Sequence, residues 1–177
     1  MNKITYLDGI RLYHALVAGS NNVIAHQEYL NKINVFPVPD GDTGTNIAFT
    51  LNSVLNGTKN VSSQRADSVL TKIADSALDG ARGNSGVILA QFFQGLNEGA
   101  EGCDVLDVKD FAIAVKSGSD AAKEALAEPI EGTILTVIED FSSKINSIVK
   151  ENGNDFESLM RAGLAEAERS LKNTPEL

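Results

Sequence analysis

Apolar residues recur at steps of three and four along most of this 177-residue chain, which is the spacing that puts them on one face of an α-helix. No alternating run is long enough for a convincing strand, and the β-branched residues fall on the helical stripes. The clearest stripes are Phe111, Ala114, Val115, Gly118, Ala122 and Ala125; Ile134, Ile138, Phe141, Ile145 and Ile148; and Phe156, Met160, Gly163, Ala167 and Leu171. The pattern therefore predicts a fold of helices packed against helices.

Glycine, proline and polar turn residues divide this pattern into about eight helices. Three helices carry the stripes above, and the others are expected at about 5–19, 22–34, 43–56, 64–81 and 84–98. The first two of these are separated by Gly19-Ser20-Asn21-Asn22. We find no repeat, linker or internal boundary, so we expect residues 1–177 to form a single all-α domain, an antiparallel bundle or barrel with short loops.

Charge and cysteine content narrow the classes of function. The 24 acidic and 15 basic residues give a net charge of −9 without a basic cluster, so nucleic acid is not an expected ligand. Cys103 is the only cysteine, and no stretch approaches the ~20 apolar residues of a membrane span, which favours a reduced, cytoplasmic protein. One cysteine with His14 and His26 cannot assemble a thiolate and imidazole zinc site, so any metal is expected to be held by oxygen.

The segment PVPDGDTGTN at 37–46 contains the strongest signal for a ligand site. Asp40 and Asp42 stand one residue apart, directly before a helix that is expected to begin at Thr43 or Gly44. Two carboxylates this close repel each other unless a cation lies between them, and Mg²⁺ prefers such oxygen ligands. The positive end of the helix would favour phosphate at the same place. The alternative is a solvated turn in which Asp42 or Thr43 caps the helix.

A second loop, GARGNSG at 80–86, has glycine at every third position and precedes an apolar helix. Gly83 and Gly86 permit close backbone approach, so the N–H groups around Asn84 and Ser85 could surround a phosphate. Neither a P-loop lysine nor the nucleophile elbow G-x-S-x-G is present. The alternative is that Gly83 ends one helix, Ser85 caps the next, and the glycines only ease helix packing.

A third loop, EPIEGT at 128–133, resembles an ordinary turn between helices by itself. In an antiparallel bundle, however, every second loop lies at the same end. The loops at 35–42, 82–86 and 128–133 follow the second, fourth and sixth predicted helices. We therefore expect them to converge at one rim.

PVPDGDTGTN, GARGNSG and EGTIL, in this order, resemble the nucleotide-binding L domain of dihydroxyacetone kinases. The sequence is more similar still to the N-terminal, nucleotide-binding domain of bacterial fatty acid kinases, for which NVFPVPDGDTGTN is distinctive. The resemblance covers essentially the whole chain. It implies an α-helical barrel that carries ATP at one rim through two Mg²⁺ ions held by aspartates.

Matched residue by residue, the resemblance assigns metal-ligand and catalytic roles to Asp40 and Asp42. The other nucleotide-binding positions it implies are Thr43, Thr45 and Asn46; Gly83, Asn84, Ser85 and Gly86; and Thr133 and Ile134.

Two departures favour the fatty acid kinase branch over the sugar kinases. Sugar kinases carry a third aspartate where this chain has Val35, so Asn34 is the nearest candidate for the third metal ligand. They also have histidine at the position of Thr43. The family continues beyond the final KNTPEL into a glycine-containing segment and, in fatty acid kinase, two more domains. We therefore expect the chain to be the N-terminal part of a longer polypeptide.

The activity that this resemblance implies is Mg-ATP-dependent phosphorylation of a fatty acid carboxylate, with the fatty acid carried by a separate DegV-type protein. A carboxylate acceptor has no proton to lose, so no general base is required on this chain. The alternatives are an ATP-binding domain of a dihydroxyacetone kinase, and a regulatory or scaffold module that binds nucleotide without turnover.

Overall fold

The computed structural model of the protein describes residues 3–36, 38–151 and 153–176. Within them the chain forms eight α-helices and two very short strands, which confirms the all-α prediction. No helix in these ranges has the length and apolar character needed to cross a membrane. The elements in chain order are β1 (Tyr6–Leu7), α1 (Gly9–Ala25), α2 (Gln27–Ile33), α3 (Thr43–Thr58), α4 (Ala66–Asp79), α5 (Gly83–Gly99), β2 (Leu106–Asp107), α6 (Val108–Glu124), α7 (Ile134–Lys150), α8 (Phe156–Asn173) and a 3₁₀ turn (Thr174–Glu176).

The first helix differs from its prediction. The break expected at 19–22 is wrong, because α1 continues to Ala25, with His26 as its C-cap. Gly19 faces open space in the middle of this helix. There it costs only its intrinsic helix propensity, roughly 1 kcal/mol relative to alanine. The chain turns instead where His26 Nδ1 lies 2.8 Å from the carbonyl oxygen of Asn22.

The two strands were not predicted. β1 and β2 pair in antiparallel fashion, with Tyr6 opposite Asp107 and Leu7 opposite Leu106. Two residues are too few to produce an alternating pattern, so no sequence signal marks them. Their pairing fixes the start of the chain against the start of α6.

Close packing through small residues shows that α5 and α6 run antiparallel. A Cβ added to Gly95 would lie 2.7 Å from the carbonyl carbon of Ser117, and one added to Gly99 would lie 2.7 Å from Cα of Ala114. The later residue of α5 therefore lies beside the earlier residue of α6, so the two helices run in opposite directions. The expected small residues Ala114, Gly118 and Ala122 of α6 are buried, whereas Ala125 lies just past the end of the helix and is only partly buried.

In contrast, α3 and α5 run parallel and begin side by side. Gly83 faces the Asn46 side chain, and one turn later a Cβ on Gly86 would lie 2.7 Å from Thr50 Oγ1. Lys123 at the end of α6 bonds to Glu139 in the first half of α7, and Asn146 towards the end of α7 donates to Ala112 near the start of α6, so these two helices are also antiparallel. Since α6 is antiparallel to α5, α7 begins at the same end as α5. A small apolar cluster at that end confirms this and contains Ile88 of α5, Ala122 of α6 and Leu135 of α7. This end of the bundle is called the α3–α5 rim below.

The last helix buries only part of its expected stripe. Phe156 and Gly163 are buried, but Met160 and Leu171 are 42% and 62% exposed. The reason is that α8 packs mainly on α7 among the described residues. One apolar flank of α8 therefore has no partner helix in the described part of the chain.

Candidate functional site

Asp40 and Asp42 lie on the loop that leads into α3, and both carboxylates are exposed. Gly41 between them has a φ of +68°, a conformation that favours glycine. The chain bends at this residue, between the two aspartates. Asp42 occupies the N-cap position of α3, but its side chain accepts no capping hydrogen bond. Only its main-chain oxygen is engaged, accepting from the Asn46 N–H at 2.9 Å. The capping interpretation of Asp42 is therefore wrong.

Asn34, the candidate third ligand, closes the same loop. Its Nδ2 donates to the carbonyl oxygen of Val38 at 3.0 Å. Its Oδ1 is buried and has no hydrogen-bond partner among the described residues. An unpaired buried acceptor costs about 1–3 kcal/mol, so this oxygen has unused capacity for a donor or a cation. Pro37, within this loop, lies outside the described residues.

The first turn of α3 is held by α2. The Thr45 N–H donates to Asn31 Oδ1 at 3.0 Å, and Thr45 Oγ1 accepts from Asn31 Nδ2 at 2.9 Å and from Gln27 Nε2 at 3.3 Å. Gly44 packs so closely that an added Cβ would collide with the carbonyl oxygen of Gln27. This geometry favours a structural role for Thr45, whereas the Thr43 side chain forms no hydrogen bond with the described residues.

The glycine loop leads directly into α5. Gly83 is the first helical residue and has a φ of +56°. The preceding helix already ends at Asp79, so Gly83 does not terminate it, and Ser85 lies inside the first turn of α5 rather than at its N-cap. Both parts of the capping alternative for this loop are wrong. The same alternative also held that the glycines ease helix packing, and this part is correct for Gly86, which is buried against Thr50.

The starts of α3 and α5 differ from the other long helices in how their N–H groups are used. α1, α6, α7 and α8 are capped by the side chains of Asp8, Asp107, Thr133 and Asp155. The first N–H groups of α4 donate to main-chain oxygens of 103–104. Within the described ranges, the N-caps of α3 and α5 contribute no side-chain bond, and the N–H groups of 43–44 and 83–85 have no acceptor. Two helix starts with unused donors thus lie side by side.

At the third loop the polar groups are engaged locally. Thr133 Oγ1 donates to the carbonyl oxygen of Ile130 at 2.8 Å and accepts from the Leu135 N–H at 3.3 Å, and Gly132 has a φ of +73°. Ile134 is 39% exposed at the start of α7. The loop lies at the α3–α5 rim, but its hydroxyl already serves as a helix cap.

Comparison with known proteins identifies the family. The family described as the DAK2 domain matches residues 37–177. This chain belongs to the DAK2 domain family. It is 40% identical over 174 residues to protein YloV of Bacillus subtilis, and 39% identical over 174 residues to an uncharacterised protein of Staphylococcus saprophyticus. Both alignments cover 98% of this chain but only 31% of the relative, so the chain spans about a third of the length of these proteins.

The family assignment confirms the resemblance to dihydroxyacetone kinase L domains. A DAK2 domain is a nucleotide-binding domain of a kinase family. The names that these two relatives carry state no activity.

The sequence interpretation missed one cation of this DAK2 domain, Arg82. Its guanidinium carbon lies 4.0 Å from the ring centroid of Phe49 on α3, and it forms no ion pair with any described carboxylate. The sequence offered one signal for such a residue. No lysine or arginine occurs between Ile33 and Thr58, so a cation beside the two aspartates has to come from another part of the chain. Arg82 therefore brings positive charge close to the start of α3.

The described residues of the DAK2 domain contain no cluster of three or more His, Cys, Asp or Glu side chains that could hold a metal without help. Asp40 and Asp42 supply two carboxylates, and Asn34 supplies an amide oxygen. Mg²⁺ is usually bound by one or two carboxylates together with water and phosphate oxygens. The donor set therefore fits magnesium that arrives with a nucleotide better than a permanent metal cage.

Proposed function

We propose that this domain binds Mg-ATP at the α3–α5 rim and supports transfer of the γ-phosphate to the carboxylate of a fatty acid carried by another protein. The observation that carries this proposal is the pair of adjacent helix starts with unused N–H groups, next to the exposed Asp40 and Asp42. Donors for phosphate and acceptors for a divalent cation are both needed for a metal nucleotide. Neither group alone would favour this ligand over others.

The phosphate half of the proposal rests on the backbone. Free N–H groups and the positive dipole ends of two helices favour an anion between them. Gly83 leaves room for the Asn46 side chain, which occupies the position where a Cβ would lie, so the two helix starts can approach each other closely. Arg82 would add a full positive charge, whereas the rest of the chain carries a net charge of the opposite sign. Asn84 and Ser85 extend the same turn.

The metal half rests on Asp40, Asp42 and Asn34. Bound Mg²⁺, in two ions by family resemblance, would neutralise charge on the phosphate oxygens during in-line transfer. The two aspartates would hold the cations, and the Asn34 Oδ1, which has no hydrogen-bond partner among the described residues, could accept from a metal-bound water or bind a cation directly. The N–H groups of α3 and α5 would orient the phosphates. No proton has to be removed, since the acceptor is a carboxylate.

The finer assignment to fatty acid kinase rests on Val35 and Thr43, at the positions where sugar kinases have aspartate and histidine. The domain would then act with a DegV-type fatty acid carrier and with further domains of its own polypeptide. The greater length of its relatives supports further domains. A dihydroxyacetone kinase domain is the alternative within the enzyme class.

Turnover measurements test this assignment. The isolated chain should form little product from ATP and free fatty acid, because no described group positions an acceptor. Addition of an acyl-loaded carrier to the longer polypeptide should produce acyl phosphate. Formation of dihydroxyacetone phosphate instead would favour the sugar kinase alternative.

Nucleotide binding without any transfer under these conditions would support the third possibility, a regulatory or scaffold module. Rapid product formation by this chain alone would contradict the requirement for a partner.

A further inference from the structure

We propose that Asn31 of α2 is a positioning residue for the magnesium nucleotide site, acting through the first turn of α3. This inference rests on the proposed function. It assigns a role to a residue that lies outside all three sequence motifs.

The amide of Asn31 forms a paired hydrogen bond with one residue of α3. Its Oδ1 accepts from the Thr45 N–H at 3.0 Å, and its Nδ2 donates to Thr45 Oγ1 at 2.9 Å. A paired interaction of this kind fixes both the distance and the orientation of the two groups. The Asn31 side chain therefore acts as the N-terminal cap that Asp42 does not provide.

Asn31 also lies close to Gly41, which precedes Asp42, and to Gly44 in the first turn of α3. A Cβ on Gly44 would lie 2.9 Å from Asn31 Oδ1, and one on Gly41 would lie 3.7 Å from the Asn31 carbonyl oxygen. One residue of α2 thus binds the first turn of α3 and lies beside the bend between the two aspartates. A shift of Asn31 would move the aspartates relative to the free N–H groups of Thr43 and Gly44.

The rest of α2 provides little to hold it in place. The helix has seven residues, and none of them is buried. Apolar burial therefore contributes less here than in the long helices, and the bonds from Asn31 and Gln27 to Thr45 carry much of the contact. Thr45 was expected to touch the nucleotide, but its hydroxyl accepts both of these bonds.

The direct test replaces Asn31 with alanine. In the metal-free protein, Asn31→Ala should speed hydrogen exchange at the Thr45 N–H, because its acceptor is gone. Titration with Mg²⁺ at fixed fluorescent ATP analogue should show a midpoint at higher Mg²⁺ concentration, and nucleotide affinity should fall roughly tenfold or more, as expected for a small misplacement of binding groups.

Asn146 offers a matched control. Its Nδ2 also joins two helices, donating to the carbonyl oxygens of Ala112 at 3.2 Å and Ser142 at 2.9 Å. These contacts lie between the start of α6 and the end of α7, away from the α3–α5 rim. Asn146→Ala should lower the melting temperature without moving the Mg²⁺ midpoint.

Asn31→Asp provides the rescue. It keeps an acceptor for the Thr45 N–H, so it should recover much of the nucleotide affinity when compared with Asn31→Ala at high salt, where the added charge is screened. It also serves as the second variant if Asn31→Ala does not fold. An Asn31→Asp protein that binds no better than Asn31→Ala overturns the positioning role. So does an Asn31→Ala protein whose nucleotide affinity falls below that of wild type by no more than that of Asn146→Ala.

The two proposals fail in different ways. Wild-type protein that shows no Mg²⁺-dependent nucleotide binding overturns the proposed function and this inference together. Wild-type binding that is unchanged in Asn31→Ala, despite faster exchange at Thr45, overturns only the positioning role.

Discussion

The Asn46 side chain fills the space that a β-carbon on Gly83 would require. This contact joins the first turn of α3, which follows the two aspartates, to the first residue of α5. Gly83 also has a φ of +56°. Two independent constraints, one of backbone conformation and one of space, therefore require glycine at this position.

Gly83→Ala should destabilise the protein by more than backbone strain alone. An L-residue in this conformation costs roughly 1–2 kcal/mol, and the forced contact with Asn46 should add about 1–3 kcal/mol. Urea unfolding of the metal-free protein measures the sum. Nucleotide affinity should fall as well.

Gly102 separates the two causes. It has a φ of +78°, but an added Cβ would meet nothing within 4 Å. Gly102→Ala should therefore show only the backbone cost. The Asn46→Ala change should recover part of the stability lost in Gly83→Ala. Equal losses in Gly83→Ala and Gly102→Ala would show that Asn46 does not crowd this position.

Replacement of Asp40 or Asp42 by asparagine should remove the stabilisation by Mg-ATP but leave the metal-free protein intact. Both side chains are exposed, and Asp42 forms no capping bond. The free energy of unfolding should change by no more than about 0.5 kcal/mol, as for most surface substitutions. Thermal melts with and without Mg-ATP measure both effects, because a ligand that binds only the folded state raises Tm.

Asp79→Asn is the control for these variants. Asp79 is an exposed carboxylate at the end of α4 with no predicted ligand role. It should respond to Mg-ATP as wild type does. A large loss of stability in metal-free Asp42→Asn would instead favour a structural role for that carboxylate.

The carboxylate of Asp155 should make the free energy of unfolding depend on pH. Hydrogen bonds from the Ser158 hydroxyl and N–H hold the pKa of its carboxyl below the ordinary value, and the same carboxyl accepts from the Ile4 N–H. Since the folded-state pKa is lowered, this contribution is complete above the unfolded value of about 4 and is lost as pH falls through the folded value. Asp155→Asn should be less stable than wild type at pH 7, and the difference should shrink below about pH 4.

Denaturation of both proteins across this pH range provides the measurement. A difference that stays constant from pH 7 to pH 3 would contradict an ionic contribution from Asp155.

Cys103 should react slowly in the folded protein. Burial raises the pKa of its thiol, and the nearby carboxylates of Asp110, Asp67 and Asp107 raise it further. Less thiolate is then present at pH 8, so alkylation by iodoacetamide should be slower than in the urea-unfolded chain. Equal rates in the two states would contradict this environment.

Local signals accounted for what the sequence predicted well. The helix starts at Thr43 and Gly83 follow directly from nearby glycines and aspartates, so both loops could be located from a few neighbouring residues. The uninterrupted course of α1 past Gly19 could not be predicted, since its turn residues mark a break by themselves.

Contacts between distant residues were beyond such signals. The Asn31 amide meets Thr45 across 14 residues, and Tyr6 pairs with Asp107 across most of the chain. Neither contact produces a periodic pattern or a motif. The sequence motif therefore assigned Thr45 to the ligand, whereas the structure favours its contact with α2.

The location of the metal is the most direct test of the proposed nucleotide site. Mn²⁺ can replace Mg²⁺ beside ATP, and its paramagnetism broadens the NMR signals of nearby amides. We predict that broadening will require ATP, will centre on 40–46 and 83–86, and will disappear in an Asp40→Asn/Asp42→Asn double variant. Broadening centred instead on the polar pocket of Asp67, Asn97 and Glu101, or unchanged in the double variant, would contradict a magnesium nucleotide site at the α3–α5 rim.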